Sequence, residues 1–208
     1  MTTETSVAPT EMYLVVGKNS AATIDLTPLQ GTWTPEQYLA ISGATNNLIE
    51  FTDGMIEVLP MPTRNHQAIA LFMLLRFLEF IRPLGGVVFF APLRLAIRPG
   101  AFREPDLLLL RDANDPRNQN AYWLGADLVL EVVSPDDPDR DLVVKPRDYA
   151  AAQIPEYWIV NPLDETITVL QLVDRVYVQH GVFRRSERAT SALLADFSVA
   201  VDDVLNAA

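Results

Sequence analysis

The chain predicts a mixed α/β (α+β) fold: a mixed central sheet flanked by helices, with extra hairpins toward the N- and C-terminal ends. Three observations lead there. Short runs of β-branched and apolar residues are interspersed with two longer segments of helical character. One run, Leu128-Val129-Leu130-Glu131-Val132-Val133, is apolar throughout except for a single carboxylate, and Ser134-Pro135-Asp136-Asp137 closes it. Such a run reads as a strand buried on both faces. The order of elements is hairpin, helix, three strands, helix, strand, hairpin, which mixes local and crossover connections.

Residues 1–30 show no strong period and are left as an unassigned N-terminal arm, with a candidate edge strand at 12–16 and Pro28 closing the segment. Residues 31–208 are expected to form one domain. Thr34-Pro35-Glu36-Gln37 opens a helix: Thr as N-cap, Pro at the first helical position, Gln three after the Thr. It passes through Tyr38, Leu39 and Ile41 and stops near Gly43. Two apolar runs around Thr52-Asp53-Gly54 form a hairpin, since Asp-Gly supplies the positive φ angles of a type I′ turn.

Pro60 and Pro62 end that hairpin, and Thr63 or Asn65 caps a helix over 66–81. Its apolar positions Ile69, Leu71, Phe72, Leu75, Leu78 and Phe80 cover a broad face, which predicts a largely buried helix. Pro83-Leu84-Gly85-Gly86 breaks it. Residues 87–90 and 93–97 read as one long or bent strand with Pro92 at a bulge or edge. Next come the turn at Pro99-Gly100, the pair Pro105-Asp106, a strand over 107–110 and a polar loop over 112–120. After the Glu131 strand the pattern gives a helix over 141–153, a strand over 156–160 ended by Asn161-Pro162, and a final hairpin over 166–173 and 175–179.

Bulk properties narrow the function classes. The apolar fraction is 49% and the charged fraction 21%, ordinary for a globular chain. The most apolar helical segment, 68–81, is broken by Arg76 and Glu79 and is too short to span a bilayer, so no membrane association is expected. The first residues lack the basic and apolar stretches of a signal peptide, and there is no Cys. Both suit the cytoplasm, and the second excludes disulfides and thiolate metal sites. With 16 basic against 27 acidic residues the formal net charge is −11, so the global field repels polyanions. A nucleic-acid partner then has to be met by a local basic patch or by divalent cations.

The chemistry gathers on three segments. Asp106 begins one core strand and Glu131 lies inside the next, where an uncompensated charge is expensive and calls for a cation, a donor or a metal. Lys145 follows at the start of a helix, with Asp141, Lys145 and Tyr149 at four-residue spacing on one face. Two carboxylates on neighbouring strands can hold a hard divalent cation such as Mg²⁺. A lysine beside them can balance charge on a phosphate oxygen or orient a water.

Glu104-Pro105-Asp106, Leu130-Glu131-Val132-Val133-Ser134-Pro135, Asp141 with Lys145, Tyr149 and Ala150, and Ile154-Pro155-Glu156-Tyr157-Trp158-Ile159-Val160-Asn161-Pro162 stand in this order along the chain. Together they resemble the Uma-type restriction endonuclease family of the PD-(D/E)XK nuclease superfamily, over residues 34–178. The resemblance implies a restriction-endonuclease-like core and a metal-dependent endonuclease. It would hydrolyse phosphodiester bonds, in DNA, with Mg²⁺ or Mn²⁺ as cofactor. Asp106 and Glu131 resemble the metal-binding acids, with Glu50 of the Asp-Gly hairpin as an additional acid. The superfamily lysine two residues after the second acid is replaced by Val133, and the basic role is carried by Lys145. His66 falls where the family often has a histidine opening the first core helix, and with Tyr149 it is an accessory candidate. A homodimer is expected, because cutting both strands of a duplex is simplest with a two-fold pair.

Two departures stand out. Pro146 biases Lys145 away from the α region, and Gln153 replaces the usual helix-terminating Gly. Each candidate also has a structural reading. Asp106 can cap a strand entry, and Glu131 can form a buried ion pair with Lys145 or an arginine. Lys145 can pair with Asp141 on an exposed helix face. Glu50 and His66 can be surface residues, and Tyr149, Tyr157 and Trp158 packing groups. The run Asp136, Asp137, Asp139, Asp141 is a solvated turn or a second cation site. The whole fold can equally serve as a binding or assembly module without catalysis, or hydrolyse a smaller phosphate ester.

Overall fold

The structure, a computed structural model, describes residues 13–16 and 22–207. The rest of the 1–30 arm, including residue 12 of the expected edge strand and the stretch read as lacking a signal peptide, lies outside the described residues. The chain divides into two compact units, residues 1–61 with 100–102 and residues 62–99 with 103–208.

In the first unit β1 (Tyr13–Val16) pairs antiparallel with β2 (Ala22–Asp25). Helix α1 (Pro35–Ser42) starts at the expected capping box: Thr34 Oγ1 accepts from the Gln37 N–H at 3.3 Å, and Gln37 Oε1 accepts from the Thr34 N–H at 2.9 Å. The helix buries Tyr38, which stacks on Phe51 with ring centroids 5.2 Å apart and donates its hydroxyl to the Ile49 carbonyl. Strands β3 (Ile49–Thr52) and β4 (Met55–Val58) form the predicted hairpin, with Asp53 at φ 48° and Gly54 at φ 85°. A Cβ at Gly54 would stand 2.7 Å from the Gly31 carbonyl oxygen, so only glycine fits this turn.

The second unit begins with α2 (Arg64–Ile81), capped by Thr63, whose Oγ1 accepts from the His66 N–H at 3.2 Å. The broad buried face predicted for α2 forms in part. Burial follows the four-residue stripe Ile69, Met73, Phe77, Ile81, while Leu71 and Leu75 are exposed. Phe72, Leu78 and Phe80 pack partly buried against the same core, so of the predicted face only Leu71 and Leu75 are left to solvent. A tight turn through Arg82, Pro83 and Leu84 ends in Gly85 at φ 87° and leads into β5 (Val87–Phe90). The expected single bent strand is instead two. β5 pairs with β8 (Leu107–Leu110), whereas β6 (Leu95–Arg98) meets Trp123 through an isolated parallel bridge. Pro92 lacks an N–H for a continuous ladder, and the Leu93 N–H turns back to the Phe90 carbonyl. The short strand β7 (Ala101–Arg103) precedes β8 and was not foreseen.

Strand β9 (Leu128–Val132) is buried on both faces, as its sequence predicts. A π-helical turn (Arg140–Val144) runs into α3 (Lys145–Ala151), followed by β10 (Glu156–Asn161), β11 (Thr166–Val173) and β12 (Val176–Arg184). The six-stranded sheet has the order β12-β11-β10-β9-β8-β5, with β9 and β10 parallel and the other neighbours antiparallel. Alternation along β9 sends Leu128, Leu130 and Val132 into the core shared with α2, and Val129 and Glu131 to the opposite face.

The final hairpin runs past its predicted end, because a bulge lets β12 continue through His180 and Gly181 to Arg184. Beyond it, β13 (Arg188–Thr190), β14 (Ser198–Ala200) and α4 (Val201–Leu205) were unforeseen, each too short to show a period. One buried carboxylate ties them down. Glu156 Oε1 accepts from Trp158 Nε1 and Ser191 Oγ, both at 2.6 Å, and Oε2 accepts from the Ala192 and Leu193 N–H groups, both at 2.7 Å. Phe197 then stacks on Phe77 with centroids 4.6 Å apart. Replacing Glu156 with Ala strands four donors in a dry site, and the expected loss of stability is about 4 kcal/mol. Urea unfolding measures it, and a loss below about 1 kcal/mol contradicts this role.

Candidate functional site

The second unit brings five of the six predicted site residues together, on the face of the sheet covered by α3. Asp106 opens β8 after Pro105, and Glu131 is the fourth residue of the adjacent β9. The two carboxylates interlock across the strand pair. Asp106 Oδ2 accepts from the Val132 N–H at 2.8 Å, and Glu131 Oε2 accepts from the Asp106 N–H at 3.4 Å. Register places them there: Leu107 faces Leu130, so the residue before β8 lies level with the end of β9.

Lys145 comes to this pair from the helical side. Its Nζ lies 2.9 Å from Glu131 Oε1 and 2.9 Å from Asp141 Oδ1. The group is withdrawn from water, with Glu131 2%, Asp141 4% and Lys145 5% exposed. Lys145 has α-helical φ −60° and ψ −36°, so the predicted bias imposed by Pro146 does not materialise. The π turn is the reason. The Lys145 N–H bonds back to the Arg140 carbonyl, five residues earlier, and the widened turn relieves the crowding that proline imposes on an α-helix. Gln153 holds φ 58° where glycine is usual, and its Nε2 bonds the Ala150 carbonyl at 2.9 Å.

Tyr149, one turn after Lys145, donates its hydroxyl to Glu131 Oε1 at 2.5 Å and fixes that carboxylate's rotamer. Tyr157 supports from behind, its ring 5.1 Å from that of Tyr149 and its hydroxyl on the Asp141 carbonyl at 3.0 Å. His66, in the first turn of α2, places Nε2 3.1 Å from Asp106 Oδ2. The nearby Arg103 pairs with Asp148 at 2.5 Å. Glu50, the sixth predicted residue, is buried in β3 of the other unit, directly across from Glu57. Asp141 was read in the sequence as the i−4 neighbour of Lys145 and as the last acid of a run taken for a solvated turn or a second cation site, whereas it is buried against Lys145. That spacing was the signal for its place in the cluster. The anchoring of the turn by Tyr157 had no local signal.

The electrostatics follow from burial. Desolvation pushes the Glu131 carboxyl up, to about 8; the Lys145 ammonium pulls the other way, and the Asp106 and Asp141 carboxylates add to the rise. Burial alone would depress His66, but its hydrogen bond to Asp106 and the carboxylates of Asp106, Glu131 and Asp141 raise it. Three carboxylates thus share one lysine and a histidine. Among the described residues no group of three or more His, Cys, Asp or Glu side chains is placed to hold a metal ion. A donor set of two hard carboxylates with residual negative charge nonetheless suits Mg²⁺, which binds through one or two carboxylates and keeps several waters.

This architecture can now be set beside known proteins. The family profile of Uma2, described as a putative restriction endonuclease, matches residues 35–202. The chain belongs to that family, which supports a nuclease, and it has a central mixed sheet flanked by helices. The crystal structure of a putative nuclease of the DUF820 group from Anabaena variabilis superposes with a TM-score of 0.68. The two share 18% identity over 84% of this chain and 98% of that one, a likeness of fold. No curated protein matches the chain. Among the described residues no helix is long and apolar enough to cross a membrane.

The raised Glu131 carboxyl has a thermodynamic consequence. Below the ordinary carboxyl value of 4.5, folded and unfolded chains both carry the proton and stability is unaffected. Between 4.5 and about 8 the folded state keeps a proton that the unfolded chain releases, so stability falls as pH rises. Glu131→Gln removes this loss and leaves Lys145 its pairing with Asp141. The variant is expected to match the parent at pH 5 and to exceed it at pH 8 by on the order of 1–2 kcal/mol. Thermal unfolding at the two pH values is the measurement, and a variant less stable at pH 8 than at pH 5 relative to the parent contradicts the assignment.

Proposed function

We propose that the protein is a divalent-metal-dependent nuclease that hydrolyses phosphodiester bonds in DNA. The observation that carries this reading is the meeting of Asp106 and Glu131, from adjacent strands, with a lysine ammonium 2.9 Å from the second. Asp106 and Glu131 would hold Mg²⁺ or Mn²⁺. When bound, the ion supplies Lewis-acid polarisation of the phosphoryl oxygen and an acidified water.

The chain's own groups do the rest. Lys145 is held by Glu131 and Asp141 so that its charge persists in a desolvated site, where it balances charge developing on the phosphate. Tyr149 orients Glu131, and His66 orients Asp106 and can accept or return a proton. The excess of acid over base also explains how an acidic chain meets a polyanion: the cation, rather than a basic surface, supplies the attraction.

A second reading is favoured by one specific observation. Lys145, Tyr149 and His66 already satisfy the carboxylates without any ion, as in a binding or assembly module that has kept the fold. One titration separates the two. For the enzyme, Mn²⁺ or Ca²⁺ raises the unfolding temperature, and Asp106→Asn abolishes the rise. A site filled to 100 times its dissociation constant gains about 2.7 kcal/mol. The effect strengthens from pH 6.5 to 8.5, because the ion displaces the Glu131 proton. No response to either ion at either pH supports the module.

With DNA as substrate, Glu131→Gln eliminates metal-dependent cleavage. Lys145→Met lowers turnover about 100-fold while metal-induced stabilisation is retained. Cleavage by the Glu131→Gln variant at the parental rate refutes the nuclease assignment of this site.

A further inference from the structure

Strand β12 exchanges the facing of its side chains partway along. Tyr177 pairs with Leu172 and Gln179 with Leu170, but Gly181 pairs with Val169, so His180 has no place in the ladder with β11. Its ring meets the Thr190 hydroxyl instead, at 3.0 Å. One surplus residue reverses the alternation of everything beyond it. Phe183, opposite Ile167, therefore packs against the core under α2, and Val182 and Arg184 point to the other face. Without the bulge the alternation from Tyr177 would send Phe183 to that other face and turn Arg184 toward the core.

The face given to Arg184 is the one that carries Glu131. Register draws one row across the sheet from Glu131 through Ile159 and Thr168 to Val182. The next row, toward the end of the sheet where Asp106 and Glu131 meet, runs from Asn161 through Thr166 to Arg184. After Glu131 neither row holds an acid, in a chain whose formal net charge is −11. Arg184 is exposed, and among the described residues its guanidinium has no carboxylate partner. Its neighbour Arg185 differs: it pairs with Glu165 and Asp202 and bonds Asn206. The carboxylates nearby have donors of their own. Glu187 accepts from the Arg184 N–H and Asp164 from the Thr166 hydroxyl, both at 2.6 Å.

We infer that Arg184 binds a backbone phosphate of the DNA substrate, on the sheet face that leads away from the cleavage site. This deepens the nuclease reading and rests on it. Three strand spacings and two residues separate Glu131 from Arg184, about 16 Å. At ~3.4 Å per nucleotide along a duplex axis that is about five nucleotides from the bond cut. A guanidinium keeps its charge and offers a planar fork to phosphate oxygens. One arginine does not make a basic surface; it fixes the direction in which the strand leaves the site. Re-aiming one side chain beside a site is a recurrent use of a bulge.

Fluorescence anisotropy of a labelled DNA duplex several turns long, in Ca²⁺ and across a salt series, tests this. Arg184→Gln is expected to bind about tenfold more weakly at low salt and to reduce the slope of log K against log salt by about one, with an unchanged thermal melt. Arg175→Gln removes the same charge from the exposed β11–β12 turn at the far end of the sheet, and is expected to bind as the parent does. Parental affinity and slope in Arg184→Gln, or an equal loss in Arg175→Gln, overturns the role of Arg184 and leaves the nuclease reading standing. A parent that binds no DNA overturns both.

Discussion

A carboxylate inside a strand covered on both faces is the constraint from which the site grows. Glu131 cannot be hydrated where it lies, so the chain has to bring compensation to it. Lys145 brings charge and Tyr149 brings a hydroxyl, and both come from a helix that the sheet alone would not need. The π turn that leads into α3, its anchoring by Tyr157 and the acceptance of Pro146 are secondary adjustments that put one ammonium in one place. Such an arrangement is poor as a stabilising device, because apolar packing would do as well. Its presence in the middle of the sheet is what the proposed metal site rests on.

Local chemistry made much of this legible in the sequence. The capping box at Thr34 and Gln37, the Asp-Gly turn and the doubly buried β9 each depend on residues within a few positions of one another, and each forms as read. The adjacency of Asp106 and Glu131 was readable because both belong to successive strands of an antiparallel pair. What sequence could not supply was partnership at a distance. Leu71 and Leu75 looked like core because periodicity says where apolar residues point, not whether anything covers them. The segment 188–205 has strands of three residues, and its order depends on Glu156, more than thirty positions earlier.

The same contrast explains the lysine. Reading Pro146 as a local perturbation gave the wrong backbone for Lys145, since proline's demand was met by widening the preceding turn rather than by displacing the lysine. The four-residue spacing of Asp141, Lys145 and Tyr149 nevertheless brought these three side chains into one cluster, because Asp141 and Tyr149 meet it from the turns on either side of Lys145. Belonging to a nuclease family and sharing a fold with a protein only 18% identical fits a core whose position-setting contacts are few and buried.

The five-residue loop of backbone at Arg140–Val144 amounts to one surplus amino acid beyond what an ordinary α turn would use. Deleting it would swing every later side chain of α3 by about 100°, carrying the ammonium off its carboxylates while the helix itself survived. Spacing between the acid on β9 and its lysine is therefore an adjustable coordinate of this scaffold. A change of length between them keeps the ammonium on its carboxylates only if it returns the same face of the helix to the sheet.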